Sequence, residues 1–217
     1  MKVYIAAMEC EARCAIANLD GVREETVCGR RITRGTMVNG QDARSTDAAV
    51  VLSGVGKSNA AAAAQLALCL FPGARLVNYG LAGGLEPTMK VGDIYRISRA
   101  VQYDFDLVKV NGTPMGTLNE RKDPYIPVGE GVEGGKTLGT GDRFNDSEDD
   151  MRLLVSLGAG LRDMEGAAIA HVCETAGAEL AMFKCVSDVY GSGSMPEQYA
   201  ANMARCLAIL EKEVPFF

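Results

Sequence analysis

The sequence predicts an α/β fold, with a central, largely parallel or mixed sheet covered on both faces by helices. Apolar, β-branched runs alternate with Ala-rich helical stretches along the chain, the order that builds such a sheet. No internal repeat and no linker-like segment interrupts that alternation, so residues 1–217 read as one domain. Lys2 to Ala7 is the first buried strand, followed by a helix from about Glu9 to Asn18. Arg31 to Val38 and Asp47 to Ser53 flank Asn39-Gly40, a hairpin signal with β-branched residues on both sides. Lys57 to Leu70 is Ala-rich and helical and stops before Pro72-Gly73. Arg75 to Tyr79 is another apolar strand, which the run Gly80-Leu81-Ala82-Gly83-Gly84 is expected to break. Asp93 to Val101 and Lys136 to Gly139 read as further strands, and Met151 to Leu157 as helix. Ala159 to Arg162 is a short run leading into the Ala-rich helix Glu165 to Ala176. Leu180 to Val186 is a buried strand, and Pro196 to Lys212 a closing amphipathic helix. Val108 to Gly135, rich in Gly, Pro and charge, is the longest irregular stretch and a candidate substrate or interface loop.

Composition narrows the function classes. A net charge of −6 argues against a nucleic-acid partner, because backbone binding needs clustered Lys and Arg. No window holds the run of about eighteen apolar residues needed to span a membrane. The strand-like start leads straight into charge, too soon for a secretory segment, so a cytoplasmic protein is expected. The seven cysteines are an odd set without a C-x-x-C pair, and the only histidine, His171, sits mid-helix. Reduced, mostly buried thiols fit this pattern, and no metal or redox cofactor is suggested.

Two glycine motifs fail as nucleotide signatures. Gly54-Val55-Gly56-Lys57-Ser58 resembles the end of a phosphate loop, but the required first glycine position holds Val51. A dinucleotide fingerprint fails as well, since its third glycine falls on Asn59. The strand-to-helix junction still offers free backbone N–H groups to an anion or hydroxyl.

Acids at strand ends carry more information, because ligands of open α/β sheets bind beyond the carboxyl ends of the strands. Glu9 and Glu11 follow the first strand, Glu165 follows the Ala159 to Arg162 run, and Asp188 follows Leu180 to Val186. Each has a plainer reading as a cap or first-turn acid of the next helix. Several acids converging on one sheet edge, beside two glycine-rich turns, fit that reading less well.

Ordered blocks along nearly the whole chain carry a resemblance. They include Ala7-Met8-Glu9-Cys10-Glu11, Ser53-Gly54-Val55-Gly56-Lys57, Asn78-Tyr79-Gly80-Leu81-Ala82-Gly83-Gly84-Leu85 and Lys90-Val91-Gly92-Asp93-Ile94. Tyr103-Asp104-Phe105-Asp106, Gly139-Thr140-Gly141-Asp142-Arg143-Phe144, Asp163-Met164-Glu165-Gly166-Ala167-Ala168-Ile169-Ala170 and Val186-Ser187-Asp188 complete the series. In these blocks the chain resembles the methylthioadenosine/S-adenosylhomocysteine nucleosidases of the purine nucleoside phosphorylase superfamily. The resemblance implies a three-layer phosphorylase/hydrolase-like fold with a central mixed twisted sheet, and a purine nucleoside as the small-molecule partner. It implies Asp188 as the acid that protonates the purine N7 and Glu11 as the base that activates water. Glu165 would grip the ribose hydroxyls with help from the Met164 backbone, and Ser187 precedes the acid. Phe144 would stack on the adenine, the Asn145 backbone would read the base edge, and Gly83 would let the backbone approach the ligand. The chemistry is consistent, since an oxocarbenium-like sugar calls for nearby negative charge and the departing base for a proton.

An acid rather than an amide at position 188 goes, in the resembled superfamily, with 6-aminopurines. Its phosphorylases hold phosphate with arginines, and none stands before the glycine turn here, where Arg13 alone lies near the first loop. Hydrolysis is therefore expected, with a phosphorylase or a non-catalytic nucleoside-binding protein as the alternatives. Leu81 replaces a hydroxyl residue and Lys184 an arginine of the resembled pattern, both near the expected water. Arg121 or Lys122, in a segment without close counterpart, offers a route to phosphate in a neighbouring site. The resemblance also implies a homodimer, with Val55, Phe105, Met195 and Tyr199 as candidates for lining the channel for the 5′ group. Ordinary packing explains these four as well. Gly191-Ser192-Gly193-Ser194 reads as a lid hinge or a plain loop.

Overall fold

The computed structural model describes residues 1–38, 46–118, 120–129, 133–145 and 147–217. Its strands are β1 (Lys2–Ala6), β2 (Leu19–Val27), β3 (Arg30–Met37), β4 (Thr46–Leu52), β5 (Arg75–Gly84) and β6 (Ile94–Gln102). β7 (Ile126–Pro127), β8 (Lys136–Thr140), β9 (Leu161–Asp163) and β10 (Leu180–Val189) complete the sheet. The helices are α1 (Glu9–Ile16), α2 (Lys57–Leu70), α3 (Val108–Asn111), α4 (Glu148–Ser156), α5 (Gly166–Thr175) and α6 (Met195–Glu213).

The ten strands form one mixed sheet in the order β10-β6-β8-β9-β5-β1-β4-β3-β2, with β7 beside β6. β10 also pairs with β5, so β5, β10, β6, β8 and β9 close a circuit at one end of the sheet. Strands β1, β4, β5 and β10 run parallel, whereas the β2–β3–β4 arm is antiparallel.

β1 shows why the centre reads as continuous apolar sequence. Val3 and Ile5 join a core under α2 and α5, and Tyr4 and Ala6 join a second core under α1 and α6. Both faces are covered, so alternation between apolar and polar residues is absent. That is the predicted three-layer arrangement.

Three differences from the sequence reading have physical causes. β2 has no counterpart in it, because its residues are exposed from Asp20 to Thr26 and carry no apolar period. β5 does not end at Tyr79 but continues to Gly84, every residue after Arg75 being buried. β10 likewise runs on to Val189, so Asp188 lies inside the strand, at an irregular register beside Gly83. β3 and β4 pair as the predicted hairpin, while Asn39-Gly40 itself lies outside the described residues.

Candidate active site

A cavity of about 230 Å³ opens where β1, β5 and β10 end and α1 begins. Glu11, Leu81, Gly83, Phe144, Met164, Glu165, Ser187 and Asp188 line it, with Val55 and Tyr199. Glu11, Glu165 and Asp188 thus meet in one place although they are spread over the whole sequence.

The glycines of β5 make room for the acids. A Cβ on Gly80 would stand 2.6 Å from Glu11 Oε1, and one on Gly83 would stand 2.8 Å from Asp188 Oδ1. Real Cβ atoms essentially never show such distances, so a side chain here would displace the acids, and the glycines allow close approach rather than ending the strand.

Glu11 has two tasks. Its Oε2 accepts from the Met8 N–H at 3.0 Å, capping α1, and its Oε1 accepts from the Leu81 N–H at 2.9 Å. Burial raises its pKa, against the pull of the Leu81 N–H and the Lys184 ammonium. Position 81 therefore serves Glu11 through its backbone, whatever its side chain.

Glu165 stands at the start of α5 but does not cap it. Asp163 accepts from the Gly166 N–H at 2.8 Å, while Glu165 Oε1 reaches across to the Gly56 N–H at 2.8 Å. Burial and the neighbouring Asp163 charge push Glu165 up to about 7. The Lys57 N–H in turn donates to Asp142 Oδ1 at 2.8 Å. Two N–H groups at the α2 N-terminus, where sequence left room for an anion, are thus taken by the protein's own carboxylates.

Asp188 is buried, and the Ser187 hydroxyl donates to its Oδ2 at 2.7 Å. Phe144 is 48% exposed and lies at the rim, its ring 5.3 Å from that of Tyr199 in edge contact. Tyr199 donates to Met8 Sδ at 3.4 Å.

Four of the predicted residues do not line the cavity. Lys184 is buried behind it with Nζ 2.9 Å from Asp163 Oδ2. Burial alone would lower the Lys184 pKa, but the Asp163, Glu165 and Glu11 carboxylates raise it. Asn145 turns to α4, donating to Asp150 at 3.4 Å and accepting from the Ser147 N–H at 3.2 Å. Phe105 packs against the core under α2 and α5, and Met195 is buried beneath the floor, its Sδ accepting from Arg162 at 3.3 Å. Glu9 turns outward to Arg13 and Arg31. Arg121 is engaged by Glu174 and the Tyr125 carbonyl. Gln198 ties down the turn before α6 by bonding Val189 and Gly193.

Sequence reasoning missed Arg162, Asp163, Arg143 and Met8, all of which line the cavity. Arg162 and Asp163 had a usable signal, adjacent charges inside a short segment that has to be buried to reach the helix after it. His171 lies 3.7 Å from Glu120 and is absent from the cavity lining. Among the described residues no group of three or more His, Cys, Asp or Glu side chains is placed to hold a metal ion. No helix among them is long and apolar enough to cross a membrane.

The fold and its converging acids define a class. The chain belongs to the phosphorylase superfamily, whose family model matches residues 2–212. It is 30% identical over 205 residues to the 5′-methylthioadenosine/S-adenosylhomocysteine nucleosidase of Shewanella baltica, covering 87% of this chain and 84% of that protein. The like-named protein of Marinomonas sp. is 29% identical over 206 residues, covering 88% and 86%. Within the superfamily the chain is thus a member of the 5′-methylthioadenosine/S-adenosylhomocysteine nucleosidase family. Among solved structures, the nucleosidase of Neisseria meningitidis in complex with methylthio-immucillin-A superposes with a TM-score of 0.84 at 22% identity, covering 99% of this chain and 96% of that one. Futalosine hydrolase of Helicobacter pylori gives 0.87 at 22% identity, covering 99% and 95%. At that identity the two structures speak to the fold alone.

Proposed function

We propose that this chain hydrolyses the N-glycosidic bond of an adenine nucleoside, 5′-methylthioadenosine and/or S-adenosylhomocysteine, releasing adenine through an oxocarbenium-like transition state. The observation that carries this reading is the meeting of Glu11, Glu165 and Asp188 in one cavity with Phe144 at its rim. The names of the family's relatives point the same way.

In this reading Phe144 stacks on the base and Asp188, oriented by Ser187, delivers a proton to N7 as the bond to C1′ lengthens. The electron pair of that bond leaves with the base. Glu11, held between the Met8 and Leu81 N–H groups, takes a proton from the attacking water. Glu165 grips the ribose hydroxyls with the Met164 backbone, and its carboxylate faces the positive charge that develops on the sugar. Val55 and Tyr199 flank the 5′ group, with Phe105 and Met195 behind them. The Asn145 backbone meets the base edge, and Lys184 balances the buried acids through Asp163. General acid or base action of this type contributes about 10²- to 10⁴-fold per group.

Water is favoured over phosphate because the backbone N–H groups at the α2 N-terminus are engaged and three carboxylates line the cavity. Two N–H groups at the α2 N-terminus hold Glu165 and Asp142, and Arg143 is bonded to Asp150 at 2.9 Å. A dianion bound in the cavity would be repelled by three buried carboxylates. We further propose one domain over residues 1–217, a cytoplasmic homodimer, and a place in methionine salvage.

The test is adenine release from methylthioadenosine, S-adenosylhomocysteine and adenosine, with and without phosphate. Release in phosphate-free buffer is expected. Strict phosphate dependence would make the chain a phosphorylase, and tight nucleoside binding without turnover a binding protein.

A further inference from the structure

Arg162 has no task in the reaction just described, yet its position is unusual. It is 4% exposed and lines the cavity. Its Nη2 donates to a thioether, Met195 Sδ, and its Nη1 is buried without a hydrogen-bond partner among the described residues. Its Cζ lies 5.8 Å from the centroid of the Phe144 ring. A buried guanidinium nitrogen without an acceptor among the described residues is costly, which is expected where a ligand supplies the missing acceptor.

The sheet sets Arg162 and Asp188 side by side. Gly83 pairs with Arg162 of β9 on one side and Asp188 of β10 on the other. Residues in register across neighbouring strands share a face. The Arg162 Cγ and the Asp188 Oδ1 accordingly lie 3.2 and 2.8 Å from the point a Gly83 Cβ would occupy. The guanidinium bonds to Met195, whose Cε lies 2.8 Å from that same point, so it and Asp188 serve one part of the cavity. On a purine, N7 and the substituent at C6 share one edge. Adenine presents an amino group there, and a guanidinium can only donate, so the two would meet donor to donor. A 6-oxopurine presents a carbonyl oxygen, which accepts.

We propose that Arg162 reads the 6-oxo group of a purine, so that the site also hydrolyses 6-oxopurine nucleosides. This rests on the proposed placement of N7 at Asp188. The step is balanced as before: water oxygen bonds to C1′, the C1′–N9 pair leaves with the base, and the proton reaches N7 from Asp188. Free hypoxanthine is the product.

The experiment compares 5′-methylthioinosine with 5′-methylthioadenosine in phosphate-free buffer, using the wild-type protein and Arg162→Leu. Calorimetric binding of free hypoxanthine and adenine accompanies both. The wild type is expected to release hypoxanthine with a kcat/KM within about tenfold of that for adenine release. Loss of a hydrogen bond to a buried charged group lowers affinity about ten- to a hundredfold, so the 6-oxo to 6-amino ratio should fall at least about tenfold in Arg162→Leu. No hydroxypurine release by the wild type would overturn the proposal. So would an equal loss on both substrates, which is what a mere countercharge to the acids would give. Should neither nucleoside be cleaved, the nucleosidase reading fails and base binding alone decides. Hypoxanthine held more tightly by the wild type than by the variant then supports the proposal, and equal affinity contradicts it.

Discussion

Gly83 sets how close the proposed proton donor comes to the cavity floor. A methyl group there would meet Asp188 Oδ1 and Met195 Cε, each at 2.8 Å. Gly83→Ala should therefore displace Asp188 and lower kcat at least tenfold, while circular dichroism at 25 °C reports an intact fold. Asp188→Asn keeps the shape but holds no acidic proton. Its kcat should fall at least about 100-fold with only a small change in nucleoside affinity, measured by single-turnover kinetics and calorimetry. Near-normal turnover would remove Asp188 from its role. These residues differ in how legible they were. Asp188, Glu11, Glu165 and Phe144 stand out in sequence as acids or a ring inside blocks shared with a family. Lys184 stands in β10 and Asn145 directly after such a block, yet their side chains turn away from the cavity. Nothing in the order of residues tells which neighbour a side chain will meet.

At the scale of elements, the start of α5 explains how Glu165 comes to face the cavity. α5 is capped by Asp163, which leaves Glu165 to bridge to Gly56 at the start of α2. Burial of Glu165 beside Asp163 outweighs that hydrogen bond and has a measurable consequence. A folded pKa of about 7 against the ordinary 4.5 means the folded state favours protonated Glu165. That contribution is fully present below about pH 4.5 and is lost as pH rises through about 7. Thermal melting between pH 5 and 8 should show the wild type losing stability relative to Glu165→Gln as pH rises. A constant difference between the two would contradict the raised pKa. Element boundaries were legible where composition and a stop signal mark them: the Ala-rich α2, ending before Pro72-Gly73, is predicted residue for residue at Lys57–Leu70. They fail for β5, where the glycine run reads as a breaker in sequence but in the fold makes room for Glu11 and Asp188. They failed for β2 because an exposed edge strand has no buried face to announce it.

For the whole molecule, the mixed sheet brings together residues separated by more than half the chain. Glu11 follows β1, Leu81 and Gly83 lie on β5, and Asp188 lies on β10, with β5 paired to both of the other strands. The α/β class was readable from alternation alone. The closed circuit of β5, β10, β6, β8 and β9 was not, because β9 is three residues long and strand pairing leaves no mark in a single sequence. That circuit is what sets Arg162 and Asp188 on either side of Gly83. The central claim is that this assembly delivers water, rather than phosphate, to the sugar of an adenine nucleoside. The most direct measurement is turnover of methylthioadenosine in phosphate-free ¹⁸O-labelled water, followed by mass spectrometry of the sugar and quantitation of adenine. The account predicts adenine release with one ¹⁸O at C1′ of every sugar released. Adenine release that appears only on adding phosphate, with phosphate found at C1′, would contradict it.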